Sequence, residues 1–117
     1  MGLEPLRPSN LIRVMPAKEV RSDVLPRIHC ITHFGSYDDE AIAVLEAVVR
    51  QGVDGVQVRA KSLSDRQIVA FTRTLVDRLA GTSARVIVND RVDLALAAGA
   101  DGVHLGRDDV PVAEARR

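Results

Sequence analysis

Arg85-Val86-Ile87-Val88-Asn89-Asp90-Arg91-Val92-Asp93-Leu94-Ala95-Leu96-Ala97-Ala98-Gly99-Ala100-Asp101-Gly102-Val103-His104-Leu105 is the stretch that decides the fold. Its first five residues are β-branched and apolar between polar ends, the pattern of a short buried strand. Residues 91–98 are alanine-rich and helical, and residues 102–105 return to a strand pattern. Two strands joined through one helix run parallel with a right-handed crossover. Upstream, residues 53–59 give another strand. Ser64 is a plausible N-cap for a helix reaching residue 79, with the apolar stripe Ile68, Phe71, Leu75 and Val76, and Gly81 ends it. Residues 27–32 form the first strand. A helix follows over residues 38–50, where Ala41, Ile42, Leu45, Val48 and Val49 recur at helical spacing behind acidic residues, and Gly52 stops it. Downstream, Pro111 opens a fourth helix.

Strands near residues 28, 55, 86 and 103, with helices between them, make a β/α repeat of the α/β class. Periodicity leaves two architectures open, an open doubly wound sheet and a closed barrel. The glycine-rich turn of dinucleotide or P-loop sites is absent, for the first strand runs into Thr32-His33-Phe34-Gly35-Ser36. Residues 1–26 read differently. Four of the five prolines fall there (Pro5, Pro8, Pro16 and Pro26), so this segment is expected to be an irregular extension preceding a domain over residues 27–117.

At 117 residues the chain is one domain, too short for a complete barrel of eight β/α units. Sixteen Lys and Arg balance sixteen Asp and Glu, which leaves no general field to attract nucleic acid or an anionic membrane. Its apolar runs are too short for a membrane span. A single cysteine, Cys30, fits a reducing compartment, and a cytoplasmic location is expected. His29 and Cys30 point to opposite faces of a strand, which argues against a zinc cluster with His33. No Ser-His-Asp grouping marks a nucleophile.

Polar residues gather where the later strands end: Gln57-Val58-Arg59-Ala60-Lys61, Asn89-Asp90-Arg91, and His104-Leu105-Gly106-Arg107-Asp108-Asp109. The carboxyl ends of parallel strands form the ligand-binding edge of β/α folds. Gln57 and Arg59 share a face, with Lys61 near the same side. Two cations and an amide make a cradle for a diphosphate, because a guanidinium grips phosphate oxygens in bidentate fashion and an ammonium adds point charge. Asp90 and Asp109 supply carboxylates for Mg²⁺, although Asp90 also stands where a helix N-cap would. His104 serves either as a ligand contact or as a core histidine, and it is kept among the candidates.

These three stretches, joined at this spacing, resemble the thiamine-phosphate synthase family over residues 27–117. The resemblance implies a barrel of the (β/α) TIM type, cut to about its first four units. It implies a transferase that joins hydroxymethylpyrimidine diphosphate to a thiazole phosphate, releasing diphosphate and forming thiamine phosphate. Carried over, Gln57, Arg59, Lys61 and Asn89 match positions that hold the pyrimidine diphosphate, with Arg59 and Lys61 stabilising the leaving group and Asp90 and Asp109 matching the Mg²⁺ ligands. Arg107 stands where the family usually has glutamine, and His33 where the first strand usually leads to an aspartate. TenI-type thiazole tautomerases share the second-strand and Asn-Asp-Arg motifs, and a catalytically incompetent half barrel is a further alternative. Half a barrel leaves two strand edges open, so self-association is expected.

Overall fold

The computed structural model describes residues 11–13, 26–106 and 111–115. The elements follow as β1 (Leu11–Arg13), β2 (His29–Ile31), α1 (Asp39–Arg50), β3 (Gly55–Val58), α2 (Asp65–Arg78), β4 (Arg85–Asn89), α3 (Val92–Ala98), β5 (Gly102–His104) and α4 (Val112–Ala115). One sheet holds all five strands in the order β1-β5-β4-β3-β2. Strands β2 to β5 are parallel and adjacent in chain order, while β1 runs antiparallel along β5.

Side-chain alternation sorts the sheet into two faces. Val56, Val58 and Val86 pack with Ile42 and Leu45 of α1 and Phe71, Leu75 and Val76 of α2. Val88 and Val103 join Leu105, Leu94 and Ala95 in a second cluster against α3. The helices therefore cover the face of Val56 and Val58, and Gln57 faces the other way. Consecutive parallel strands with their helices on one face curve as a barrel wall does, whereas a doubly wound sheet reverses its strand order and takes helices on both faces. The architecture left open by periodicity is thus of the barrel type. Leu45 and Leu75 are fully buried, each contributing roughly 1.5–3 kcal/mol of transfer free energy.

The helix ends follow local chemistry. Ser64 caps α2 in a reciprocal capping box with Gln67, and Asp38 caps α1 by accepting from the Ala41 amide. Hydrogen bonds from the Ala41 amide and Ser36 hold the Asp38 carboxyl below the usual carboxylate range. Two expectations need correction. Residues 11–13 form a strand inside the segment read as irregular, because edge pairing needs only backbone donors and acceptors and no apolar pattern. Asp90 is also not the N-cap of α3. That place belongs to Arg91, which makes no side-chain cap bond, while Asp90 has φ +71°.

The amino ends of the strands are pinned by carboxylates. Asp54 accepts from the amides of Arg27 and Ile28, and buried Asp101 accepts from the Val86 amide at 2.8 Å. Gly55 is required by close approach, since a Cβ there would lie 2.6 Å from Cβ of Pro26.

Candidate functional site

The site is built where β3, β4 and β5 end. Gln57 is level with Ile87, and Ile87 with Gly102; two residues further along, Asn89 is level with His104. Continuing the register beyond Val58 and Val88 sets Arg59 opposite Asn89. The structure thus gathers Gln57, Arg59, Asn89 and His104 on the sheet face away from the helices. Lys61 lies past the strand in an exposed turn, two residues beyond Arg59. Asp90 follows Asn89, its amide donating to the His104 carbonyl at 2.8 Å. Asp109 and Arg107 lie outside the described residues.

Gln57 is only 2% exposed, and its Nε2 has no hydrogen-bond partner among the described residues. A buried amide donor without an acceptor costs free energy, which a ligand carrying an acceptor at that place would recover. Among the described residues, ion pairs engage Arg78 with Glu46 and Arg91 with Asp65 and Asp93, but none engages Arg59 or Lys61.

Asp90 occupies the left-handed region, sparsely populated by side chains other than glycine, asparagine and aspartate. Its hard carboxylate donor suits Mg²⁺, an ion that takes one or two carboxylates and fills the remaining positions with waters or phosphate oxygens. Among the described residues no group of three or more His, Cys, Asp or Glu could hold a metal ion by itself.

Other singled-out residues fall elsewhere. His33 is exposed beyond β2. Cys30 packs against the helix-side core, where burial pushes its thiol up. His29 sits at the amino end of its strand, Nε2 donating to the Pro26 carbonyl at 3.0 Å.

Two features escaped the sequence reading. Arg91 forks between Asp93 and Asp65, so it ties the first turns of α3 and α2 together beside Asp90. Donating to the carboxylates of Asp93 and Asp65 raises its guanidinium above the ordinary value, and its bond to Asp93 holds that carboxyl below its own. Thr32 and Tyr37, the second feature, bond to the main chain of Arg59. No spacing in the sequence links them to Arg59.

A family model described as thiamine monophosphate synthase matches residues 28–117. The chain belongs to this family. Among relatives, the thiamine-phosphate synthase of Albidiferax ferrireducens is 42% identical over 102 residues, covering 86% of this chain and 46% of the relative. That of Roseiflexus sp. is 36% identical over 116 residues, covering 93% and 48%. A solved structure, thiamine phosphate pyrophosphorylase from Pyrococcus furiosus, superposes with a TM-score of 0.65 at 30% identity, over 76% of this chain and 43% of that one. The chain spans about half the length of the relatives it matches. No helix among the described residues is long and apolar enough to cross a membrane.

Proposed function

We propose that the chain carries the pyrimidine-diphosphate half of a thiamine-phosphate synthase site, serving the condensation of hydroxymethylpyrimidine diphosphate with a thiazole phosphate to give thiamine phosphate and diphosphate. One observation carries the reading: the buried amide of Gln57, without a partner among the described residues, shares a face with Arg59, which the register sets opposite Asn89, at the strand ends where ligands bind. Gln57 would offer its amide hydrogen to the pyrimidine. Arg59 would take diphosphate oxygens in bidentate fashion, Lys61 would add point charge, and Asn89 and His104 would line the same face. Charge on the diphosphate grows as its bond to the pyrimidine carbon breaks, so preorganised cations stabilise the transition state more than the ground state. No side-chain nucleophile is required. Asp90 and Asp109 would hold Mg²⁺, which neutralises diphosphate charge when bound.

The test is calorimetric titration of the purified chain with magnesium diphosphate. Binding is expected, with Arg59→Ala or Lys61→Ala losing about 2 kcal/mol, as for removal of a charge-assisted hydrogen bond. Asp90→Asn should shift the magnesium dependence, so that excess metal restores affinity. Failure of the wild-type chain to bind, or equal rescue of Arg59→Ala by metal, would overturn the assignment.

The alternative of a TenI-type tautomerase gains no support from the relatives described above, which are named as synthases. A cytoplasmic location belongs to the same proposal. Self-association belongs to it as well: β1 pairs with β5, so the two edge strands of the sheet are β1 and β2. A monomer by light scattering at micromolar concentration would remove it.

A further inference from the structure

We infer that Thr32 and Tyr37 are positioning residues for Arg59, closing a ring of hydrogen bonds on its main chain; this rests on the reading of Arg59 as a diphosphate ligand. The ring begins where the β2–β3 ladder stops. The Thr32 amide donates to the Gln57 carbonyl at 2.9 Å, which is a regular parallel pairing. Continuing that pattern, the Arg59 amide would next donate to the Thr32 carbonyl. It donates instead to Thr32 Oγ1 at 2.9 Å, so a side-chain hydroxyl takes the carbonyl's place as β2 turns away.

Tyr37 completes the arrangement. Its hydroxyl donates to the Arg59 carbonyl at 2.9 Å and lies 3.1 Å from Thr32 Oγ1. One set of directions satisfies all three contacts: the Arg59 amide donates to Thr32, the Thr32 hydroxyl to Tyr37, and the Tyr37 hydroxyl to the Arg59 carbonyl. Each group donates once. The 3.3 Å contact from Thr32 Oγ1 to the Arg59 carbonyl is a longer alternative for the same proton. Thr32 is 2% exposed, so solvent competes little for its hydroxyl. The Tyr37 ring packs edge-to-face against Phe34 at 5.4 Å and Phe71 at 4.9 Å, which prevents the phenol from swinging away.

Both main-chain polar groups of Arg59 are therefore fastened one residue past the end of β3, where a strand would otherwise fray. A guanidinium projecting from a fixed backbone loses less freedom when it grips an anion than one projecting from a loose turn, so the ring acts as preorganisation.

The experiment titrates magnesium diphosphate into the full chain and its Thr32→Ala, Thr32→Ser and Tyr37→Phe variants, each alone and combined with Arg59→Ala. Tyr37→Phe keeps the ring packing and serves if Thr32→Ala folds poorly. The alanine and phenylalanine variants are expected to weaken binding about five- to tenfold, and serine to restore it. In the Arg59→Ala background they should cost nothing further, because residues acting through one group are non-additive. Thr82→Ala provides the structural control. Its hydroxyl also bridges two main-chain groups, donating to the Leu79 carbonyl and accepting from the Ala84 amide, but away from this rim. That variant should leave affinity unchanged. If Arg59→Ala weakens binding while Thr32→Ala and Tyr37→Phe do not, or if the losses add, the positioning inference falls and the functional reading stands. If the wild-type chain does not bind, the functional reading falls and takes the inference with it.

Discussion

Residues 52–58 and 99–105 spell nearly the same word, Gly-Val-Asp-Gly-Val-Gln-Val and Gly-Ala-Asp-Gly-Val-His-Leu. Each begins with a glycine at positive φ, 112° at Gly52 and 71° at Gly99, which lets the chain leave its helix. Each then places an aspartate that accepts main-chain amides from a neighbouring strand's start, a valine in the helix-side core, and a polar residue on the opposite face. The copies part company in what surrounds them. Asp101 is buried and holds the Val86 amide of β4, whereas Asp54 is more open and holds the Arg27 and Ile28 amides ahead of β2. Beyond the first copy comes Arg59, fastened by Thr32 and Tyr37; beside the second lies the antiparallel β1. The same local grammar builds both β/α junctions, and the residues just past each copy decide what that part of the rim can do.

The comparison can be broken at its aspartates. Asp101→Ala should cost about 3 kcal/mol, because the buried Val86 amide loses a charged acceptor and water does not replace it. Asp54→Ala should cost about 1 kcal/mol, since its partners are open to solvent and screened. Urea denaturation of the two variants checks this order; equal losses would show that burial does not separate the copies.

A smaller effect is expected at Gly55. Gly55→Ala should destabilise by about 2 kcal/mol, the scale of overpacking against a rigid neighbour, because the new Cβ meets the Pro26 ring. Removing the neighbour's Cβ with Pro26→Gly should recover part of that loss in thermal unfolding. No recovery would mean that the contact with Pro26 is not its source.

The smallest effect is on pH. Partial burial raises the Asp54 carboxyl, but the Arg27 and Ile28 amides outweigh this and hold it below its ordinary value. The folded state then binds the proton less tightly than the unfolded chain. The contribution is complete above the usual aspartate value of about 4 and is lost as pH falls through the depressed folded value. Asp54→Asn should therefore flatten the acid limb of stability measured by urea midpoint from about pH 6 to about pH 2. An unchanged limb would assign acid sensitivity to Asp38 and Asp93 instead.

Much of this was legible from the chain alone. The stripe Ile68, Phe71, Leu75 and Val76 behind Ser64 determines α2 closely, because helix period and capping chemistry are both local. Alternation around Gln57 and Arg59 likewise separates the helix-side face from the ligand face. What was not legible depends on main-chain partners far away in sequence. The strand at Leu11–Arg13 needs only the free edge of β5, and proline-rich surroundings conceal it. Thr32 and Tyr37 reach the backbone of Arg59 across 27 and 22 residues, and backbone acceptors carry no letter in the sequence.

Asp90 imposes a restriction of a different kind. A backbone at φ +71° narrows its vocabulary to three residues: glycine, asparagine and aspartate. Of these, aspartate alone brings a negative charge. Glutamate, which would preserve charge anywhere else on the rim, is the wrong word here. The main chain has in effect chosen the side chain, and any rewriting of this turn that keeps its geometry must either keep the carboxylate or give up the charge.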